Sequence, residues 1–227
     1  MPFPDLAERV AAIRDRIAAA VERGGHGQNV AIVAVTKSHG PEAVSAAYAA
    51  GLTDIGENRV QEALEKMQHV EVPVIWHLIG HLQRNKVRSL DSFNLFHALD
   101  SSRLADAVGR LGDERGSPVR VLVQVNPARE ETKGGFDMSG VRAEADRLAG
   151  VNGLVVTGAM TVARLGADAT ELRRTFAAVR ETRGILADAG HPATDLSMGM
   201  SDDFEIAVEE GATIVRLGSL LFGAREQ

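Results

Sequence analysis

The side chain with the clearest chemical potential is Lys37, near the end of the apolar run VAIVAVTKS at Val30–Ser38. A run of β-branched residues like this is typical of a strand that is covered on both faces. A lysine at its end loses contact with water, which disfavours the charged ammonium form. The neutral amine is a nucleophile that can form a Schiff base with an aldehyde or ketone. The alternative is a lysine that leaves the sheet at the strand end and stays solvated.

Two loops near the C-terminus carry residues suited to holding a phosphate. Ser201 lies in LSMGMSDD, where a helix is expected to begin, and Gly218 and Ser219 lie in VRLGS before a short helical turn. Backbone N–H groups at helix N-termini bind anions. Taken alone, an ordinary helix cap at Ser201 and a tight turn at Gly218 are the simpler explanations. Together with Lys37, the two loops favour a phosphate-bearing aldehyde as the ligand.

The elements that must position these residues are eight predicted strands, each followed by a helix or a helical turn. Such alternation indicates a parallel sheet, and eight units predict an α/β fold, a single (β/α)8 TIM-type barrel over residues 1–227. An amphipathic helix at Pro4–Arg23 is expected as an extra element before the barrel. An open doubly wound sheet is the alternative, weakened because no GxGxxG follows the first strand. The predicted strands are Val30–Lys37, Thr53–Glu57, Val72–Gly80, Asn94–Leu99, Val119–Asn126, Gly153–Met160, Asp195–Met198 and Thr213–Leu217.

Polar residues follow the predicted strands at the ends where a barrel of this type carries its chemistry. Because these ends meet at one mouth, the side chains are expected to converge there. Read in turn, the strand ends carry Lys37, Glu57, Asn58, His77, His81, Asp100, Asn126, Met160, Thr161, Ser197 to Ser201, and Arg216.

Composition excludes several classes of protein. The chain has 227 residues, of which 44% are hydrophobic and 25% charged, as in ordinary globular proteins. A net charge of −6 disfavours nonspecific nucleic-acid binding. The chain has no cysteine, which excludes disulfides and thiol catalysis and fits a reducing compartment. No signal peptide or membrane-length apolar run is recognised, so we expect a cytoplasmic protein that does not bind membranes.

Several motifs together resemble those of the pyridoxal phosphate homeostasis proteins. They are VAVTKS around Lys37, IGENRVQE at Ile55–Glu62, WHLIGHLQRNKV at Trp76–Val87, GGF at Gly134–Phe136, and the long segment Leu196–Arg225. The resemblance covers almost the whole chain. It implies a fold similar to the N-terminal barrel of bacterial alanine racemase, with pyridoxal phosphate held on a lysine as an internal aldimine.

The resemblance also assigns cofactor-binding roles to individual residues. Lys37 matches the lysine of the aldimine, and Arg216 matches the arginine that faces the pyridine nitrogen. Ser201, Gly218 and Ser219 match residues of the loops that hold the phosphate. Asn58 and Met160 match residues of the wall around the cofactor. An arginine, which stays protonated, keeps the ring nitrogen unprotonated and makes the ring a poorer electron sink. Arg164 departs from the family pattern, where proline is common.

A racemase requires acid–base groups on both faces of the substrate Cα, and this sequence offers no clear second group. The alanine racemase fold uses a tyrosine from a separate C-terminal domain. The only tyrosine here is Tyr48, on the helix after Lys37 and expected on the outside. We therefore expect a carrier of pyridoxal phosphate that acts in vitamin B6 homeostasis, has no catalytic residues, is monomeric and supplies apo-enzymes. The alternatives are a weak amino-acid racemase and a cofactor-free Schiff-base aldolase.

Two further features have simple explanations. His77 and His81 are four residues apart, as in some zinc sites, but no third ligand is evident and no metal is expected. The basic run Arg84, Lys86 and Arg88 could meet an acidic partner or a second phosphate. A solvated helix face explains that run better.

Overall fold

Eight parallel strands close into a barrel in which each strand pairs with the next along the chain and the last pairs with the first. This computed structural model describes residues 3–128, 130 and 133–223. The closed order confirms the predicted (β/α)8 barrel and excludes the open sheet. The strands are β1 (Ala31–Val35), β2 (Asp54–Glu57), β3 (Ile75–Leu78), β4 (Leu95–Leu99), β5 (Val119–Gln124), β6 (Leu154–Met160), β7 (Asp195–Ser197) and β8 (Ile214–Leu217).

Helices alternate with the strands, and one helix precedes the barrel as predicted. On that first helix, Leu6, Val10, Ile13 and Ile17 recur at steps of three and four residues and are buried. The helices are α1 (Leu6–Gly24), α2 (Pro41–Ala49), α3 (Val60–Met67), α4 (Ser102–Glu114), α5 (Val141–Ala149), α6 (Ala169–Asp188), α7 (Phe204–Glu209) and α8 (Ser219–Phe222). α1 lies outside the barrel and packs against α7 and α8. None of the helices in the described ranges is both long and apolar enough to span a bilayer.

Two elements differ from the sequence prediction. β1 ends at Val35, so Lys37 lies in the turn two residues beyond the strand rather than on it. The helix expected to carry the basic run Arg84, Lys86 and Arg88 is a 3₁₀ helix at Arg84–Ser92. Its two buried residues, Val87 and Leu90, are three apart and therefore fall on one line in a three-residue repeat.

The barrel core contains polar side chains as well as aliphatic ones. His97 and Ser197 are fully buried, and His77 and Arg216 are at most 5% exposed. Burying polar groups is unfavourable unless they are hydrogen-bonded, so their partners decide how this interior is built. Large apolar side chains such as Phe96, Phe176 and Phe204 fill other parts of the core.

Candidate functional site

A cavity of about 470 Å³ opens among the loops that follow β1, β2, β3, β6, β7 and β8. It lies where the C-terminal ends of the strands meet, the functional face of this fold. The structure brings six of the seven predicted binding residues to its wall: Lys37, Asn58, Ser201, Arg216, Gly218 and Ser219. The seventh, Met160, is the last residue of β6; it is only 1% exposed and does not line the cavity.

The turn that carries Lys37 is anchored from behind by a buried ion pair. Thr36 Oγ1 donates to Glu57 Oε1 at 2.5 Å, and Lys66 Nζ donates to the Thr36 carbonyl at 2.8 Å. Lys66 also forms a short hydrogen-bonded salt bridge with Glu57, and both side chains are almost fully buried. Burial raises the pKa of the Glu57 carboxyl, against the lowering effect of its hydrogen bonds from Lys66 and Thr36. Thr36, the residue just before Lys37, is therefore fixed through both its hydroxyl and its carbonyl group.

Ser38, directly after Lys37, adopts a backbone conformation that is unusual for its residue type. Its φ of 67° makes it the one non-glycine residue with positive φ among those the structure describes. The Ser38 N–H donates to Glu62 Oε1 at 2.6 Å, which holds this conformation. Left-handed conformations of non-glycine residues cost about 1–3 kcal/mol and cluster at ligand sites. The conformation of the Lys37 turn is therefore maintained by its neighbours.

Arg216 supplies a fixed positive charge in the cavity wall. Its NH1 group donates to Ser197 Oγ at 2.6 Å and its NH2 group to the Thr161 carbonyl at 2.7 Å. Burial lowers the pKa of Arg216 to about 10, while the charge of Asp203 acts in the opposite direction. The guanidinium remains protonated at neutral pH. Its two hydrogen bonds, to Ser197 and to the Thr161 carbonyl, fix its orientation.

The segments after β7 and β8 meet at Ser201. Ser201 Oγ lies 3.4 Å from the backbone nitrogens of Gly218 and Leu220, which donate to it weakly. Distances this long leave the N–H groups well placed to bind a better acceptor. With the hydroxyl of Ser219, they form a set of neutral donors suited to an anion.

Glycine at position 80 allows two cavity loops to approach closely. A Cβ atom on Gly80 would collide with the backbone carbonyl of Asn58. Both residues line the cavity. The IGENRVQE and WHLIGHLQRNKV motifs are therefore in direct contact through this glycine, which the sequence alone did not indicate.

Other residues noted in the sequence do not meet at the cavity. His77 points into the barrel, where it contacts Asp54 and His97, whereas exposed His81 contacts Asp100. The expectation that His77 lies at the mouth is therefore wrong, because its strand directs it inward below the cavity. The described residues contain no cluster of three or more potential metal ligands. Tyr48 is 37% exposed on α2 and does not line the cavity.

The remaining charged residues of the sequence analysis lie on the surface. Arg84 and Arg88 are exposed, and Arg88 pairs with Glu114. Arg164, the departure from the family pattern, pairs with Glu171 on α6. Two residues of the last motif, Ala224 and Arg225, lie outside the described residues.

The residues that support the site from the protein interior were not predicted from the sequence. Glu57 was noted only as a strand-end residue, and Lys66, His97 and Ser197 received no separate role. A weak signal existed, because a lysine on the apolar side of a short helix and a histidine within an apolar strand both require buried partners.

The chain is similar to known proteins over nearly its whole length. The family model described as "Alanine racemase, N-terminal domain" matches residues 9–226. A pyridoxal phosphate homeostasis protein of Aquifex aeolicus is 40% identical over 223 residues, covering 96% of this chain and 98% of that protein. The solved structure of PipY from Synechococcus elongatus with PLP bound is 36% identical, with a TM-score of 0.85, and the form without PLP gives 37% and 0.87. Each alignment with PipY covers 96% of this chain and 100% of the other.

Proposed function

Because this chain belongs to the pyridoxal phosphate homeostasis protein family and has the alanine racemase N-terminal domain, we propose that it binds pyridoxal 5′-phosphate and acts in vitamin B6 homeostasis. The observation that carries this proposal is one cavity that combines the Lys37 amine, the Arg216 guanidinium and the donors around Ser201. Identity of 36–40% over 96% of the chain supports transferring the ligand from the relatives.

The donor set of the cavity fits this cofactor. Lys37 would bond to its aldehyde carbon, and Ser201, Gly218 and Ser219 would hold its phosphate. Arg216 would face the pyridine nitrogen, and Asn58 would form part of the wall. Met160 stays a predicted wall residue, although it is only 1% exposed and does not line the cavity. A lysine and an arginine in one cavity also favour a doubly negative phosphate electrostatically.

The residues favour holding the cofactor over catalysing a reaction with it. Pyridoxal phosphate supplies an aldehyde that bonds to amines and a ring that can accept electrons. Arg216 stays protonated at neutral pH and so does not provide the ring nitrogen with a proton, which keeps that electron sink weak. His39 is another titratable side chain of the cavity wall. Its ring packs against the rings of Phe3 and Phe222 at centroid distances of 5.7 and 5.3 Å.

The proposal also covers the domain organisation, the oligomeric state, the cellular location and the recipients of the cofactor. We propose that residues 1–227 form one cofactor-binding barrel, monomeric and cytoplasmic, that passes pyridoxal phosphate to apo-enzymes. The absence of cysteine supports a reducing compartment.

Reduction of the loaded protein tests the binding site directly. Purified protein incubated with pyridoxal phosphate should absorb visible light, and borohydride should attach the cofactor permanently to Lys37. Peptide mapping then identifies the labelled lysine, with Lys37→Arg as the variant that should stay unlabelled. Label on Lys66, Lys86 or Lys133 instead would overturn the site. A colourless protein would exclude the cofactor and support the aldolase alternative.

A second assay separates the carrier from a weak racemase. Alanine of one configuration is incubated with loaded protein and analysed by chiral chromatography, beside reactivation of an apo-aminotransferase. We expect reactivation without racemisation, because the cavity offers a weak electron sink and its described wall contains no tyrosine. Racemisation that disappears in Lys37→Ala would establish the enzyme instead.

A further inference from the structure

The peptide groups on both sides of Lys37 are hydrogen-bonded to the same helix. The carbonyl of Thr36 belongs to the peptide before Lys37 and accepts from Lys66 Nζ at 2.8 Å. The N–H of Ser38 belongs to the peptide after Lys37 and donates to Glu62 Oε1 at 2.6 Å. Glu62 and Lys66 both lie on α3. The backbone of Lys37 is therefore held at two points by one element.

The spacing of Glu62 and Lys66 suits this double contact. Residues four apart lie on the same face of a helix, and the charged groups of this pair approach to 3.9 Å. The ammonium can only donate and the ionised carboxylate can only accept. The pair therefore matches the carbonyl and the N–H that the backbone presents around Lys37. Lys66 is also bound to buried Glu57, which fixes its position on the protein.

The backbone conformation that Glu62 maintains is one that serine rarely adopts. Ser38 has a φ of 67°, and left-handed conformations of non-glycine residues persist only where their neighbours enforce them. Hydrogen bonds to an ionised acceptor are stronger than those between neutral groups. The bond to Glu62 therefore offsets the unfavourable conformation. Without it, we expect Ser38 to return to negative φ, which rotates the peptide that follows Lys37.

We propose that Glu62 is a positioning residue that directs the amine of Lys37 towards the aldehyde of the cofactor. This inference rests on the proposed function, since Lys37 is assigned there to the aldehyde carbon. Glu62 acts on Lys37 through the Ser38 N–H, from the side opposite to the contact that Lys66 makes with the Thr36 carbonyl.

The reaction of Lys37 depends on where its amine points. The neutral amine nitrogen bonds to the aldehyde carbon, and the aldehyde oxygen leaves as water with the two amine protons. Such a bond forms readily only when the two atoms approach to about 3–3.5 Å in the correct direction. Lysine has a flexible four-carbon stem, so rotation of the peptide at its base moves the amine out of this range.

The hydrogen bond to Glu62 can be tested without the cofactor. Amide hydrogen exchange, followed by NMR in the cofactor-free protein, measures the protection of the Ser38 N–H. We expect exchange at Ser38 to be about tenfold faster in Glu62→Ala, whereas Glu62→Gln, which keeps an acceptor oxygen, should stay close to wild type. Equal exchange rates in all three proteins would overturn the inference. Because no ligand is present, this result is independent of the proposed function.

The rate of bonding to pyridoxal phosphate tests the consequence. Visible absorbance is followed after mixing the cofactor with wild type, Glu62→Ala and the double variant Glu62→Ala/Ser38→Gly. We expect the reaction to be about tenfold slower in Glu62→Ala. The double variant should recover, because glycine adopts a positive φ without steric cost and the turn no longer needs the acceptor. A double variant as slow as Glu62→Ala would refute a role through Ser38.

Glu42→Ala is the matched control for this experiment. Glu42 Oε1 accepts from the Gly40 N–H at 3.0 Å, so it makes the same kind of bond in the same loop. The φ of Gly40 is −76°, an ordinary value that needs no support. We therefore expect the bonding rate of Glu42→Ala to stay within about twofold of wild type. An equal slowing in Glu42→Ala and Glu62→Ala would contradict a specific role for Glu62.

Pyridoxine 5′-phosphate separates the positioning of Lys37 from a general loss of the cavity. This compound carries an alcohol in place of the aldehyde, so it cannot bond covalently to the lysine. Its affinity should differ by less than about twofold between wild type and Glu62→Ala, because Ser201 and Arg216 are unchanged. Equal losses of affinity and of bonding rate would refute the assignment. A wild-type protein that binds neither compound would instead refute the proposed function.

Discussion

The buried pair Glu57–Lys66 predicts a large and pH-dependent loss of stability in Lys66→Met. The substitution keeps a side chain of similar length and removes the ammonium group. Glu57, fully buried, would then keep Thr36 as a hydrogen-bond donor at Oε1 but lose its buried cationic partner. Its Oε2 atom has no hydrogen-bond partner among the described residues. The Thr36 carbonyl would also lose its donor.

The expected size follows from what is left unpaired. Removing one partner of a buried ion pair typically destabilises a protein by about 3–5 kcal/mol, because the remaining charge stays in the interior. Adding Glu57→Gln removes that charge, so the double variant should recover at least about 2 kcal/mol of the loss. Lys86→Met is the matched control, since Lys86 donates to Gln61 at the surface. That control should change stability by less than about 0.5 kcal/mol.

The pH dependence has a definite sign. Burial already raises the pKa of Glu57, and removing Lys66 takes away a cause that lowers it, so the pKa rises further. Between the ordinary pKa of a glutamate and this raised pKa, the folded state binds more protons than the unfolded state. The free energy of unfolding therefore falls as pH rises through that range. The loss in Lys66→Met should be largest at about pH 8 and smaller at about pH 5.

Urea unfolding of the four proteins at both pH values measures these quantities. A loss below about 1 kcal/mol in Lys66→Met, or an equal loss at both pH values, would refute the argument from a stranded buried carboxylate. Equal losses in Lys66→Met and the double variant would do the same.

Three further predictions concern the cavity. Arg216→Ala should leave the cofactor able to bond to Lys37 but weaken its retention by roughly 1.5–3 kcal/mol, the value of a hydrogen bond from a charged donor, as measured by release into an apo-enzyme. Ser201→Ala should weaken retention by about 1 kcal/mol through the phosphate, and unchanged release in both variants would contradict the assigned geometry. Gly80→Ala should lower the free energy of unfolding by about 1–3 kcal/mol because its Cβ meets the Asn58 carbonyl. A melting temperature equal to wild type would show that the loops do not need this close approach.

The sequence by itself determined the architecture and most of the cavity. Eight apolar runs alternating with helical patterns specify parallel strands, and the strand ends of a parallel barrel must meet at one mouth. The convergence of Lys37, Asn58, Ser201, Arg216, Gly218 and Ser219 on one cavity therefore follows from their places along the chain. The roles proposed for them also rest on residue type, since binding the cofactor as proposed needs only an amine, a guanidinium and hydroxyl or backbone donors.

Only the tertiary structure decided what supports those residues. Thr36 meets Lys66 from 30 positions away, and His97 meets Ser197 from 100 positions away. No local periodicity encodes such pairs, because they depend on the register and tilt with which eight strands close into a barrel. The same register turned His77 inward, although its position near a strand end had predicted the mouth. Local sequence patterns specify which strands form and where they end, whereas closure of the barrel selects the partners of its buried polar side chains.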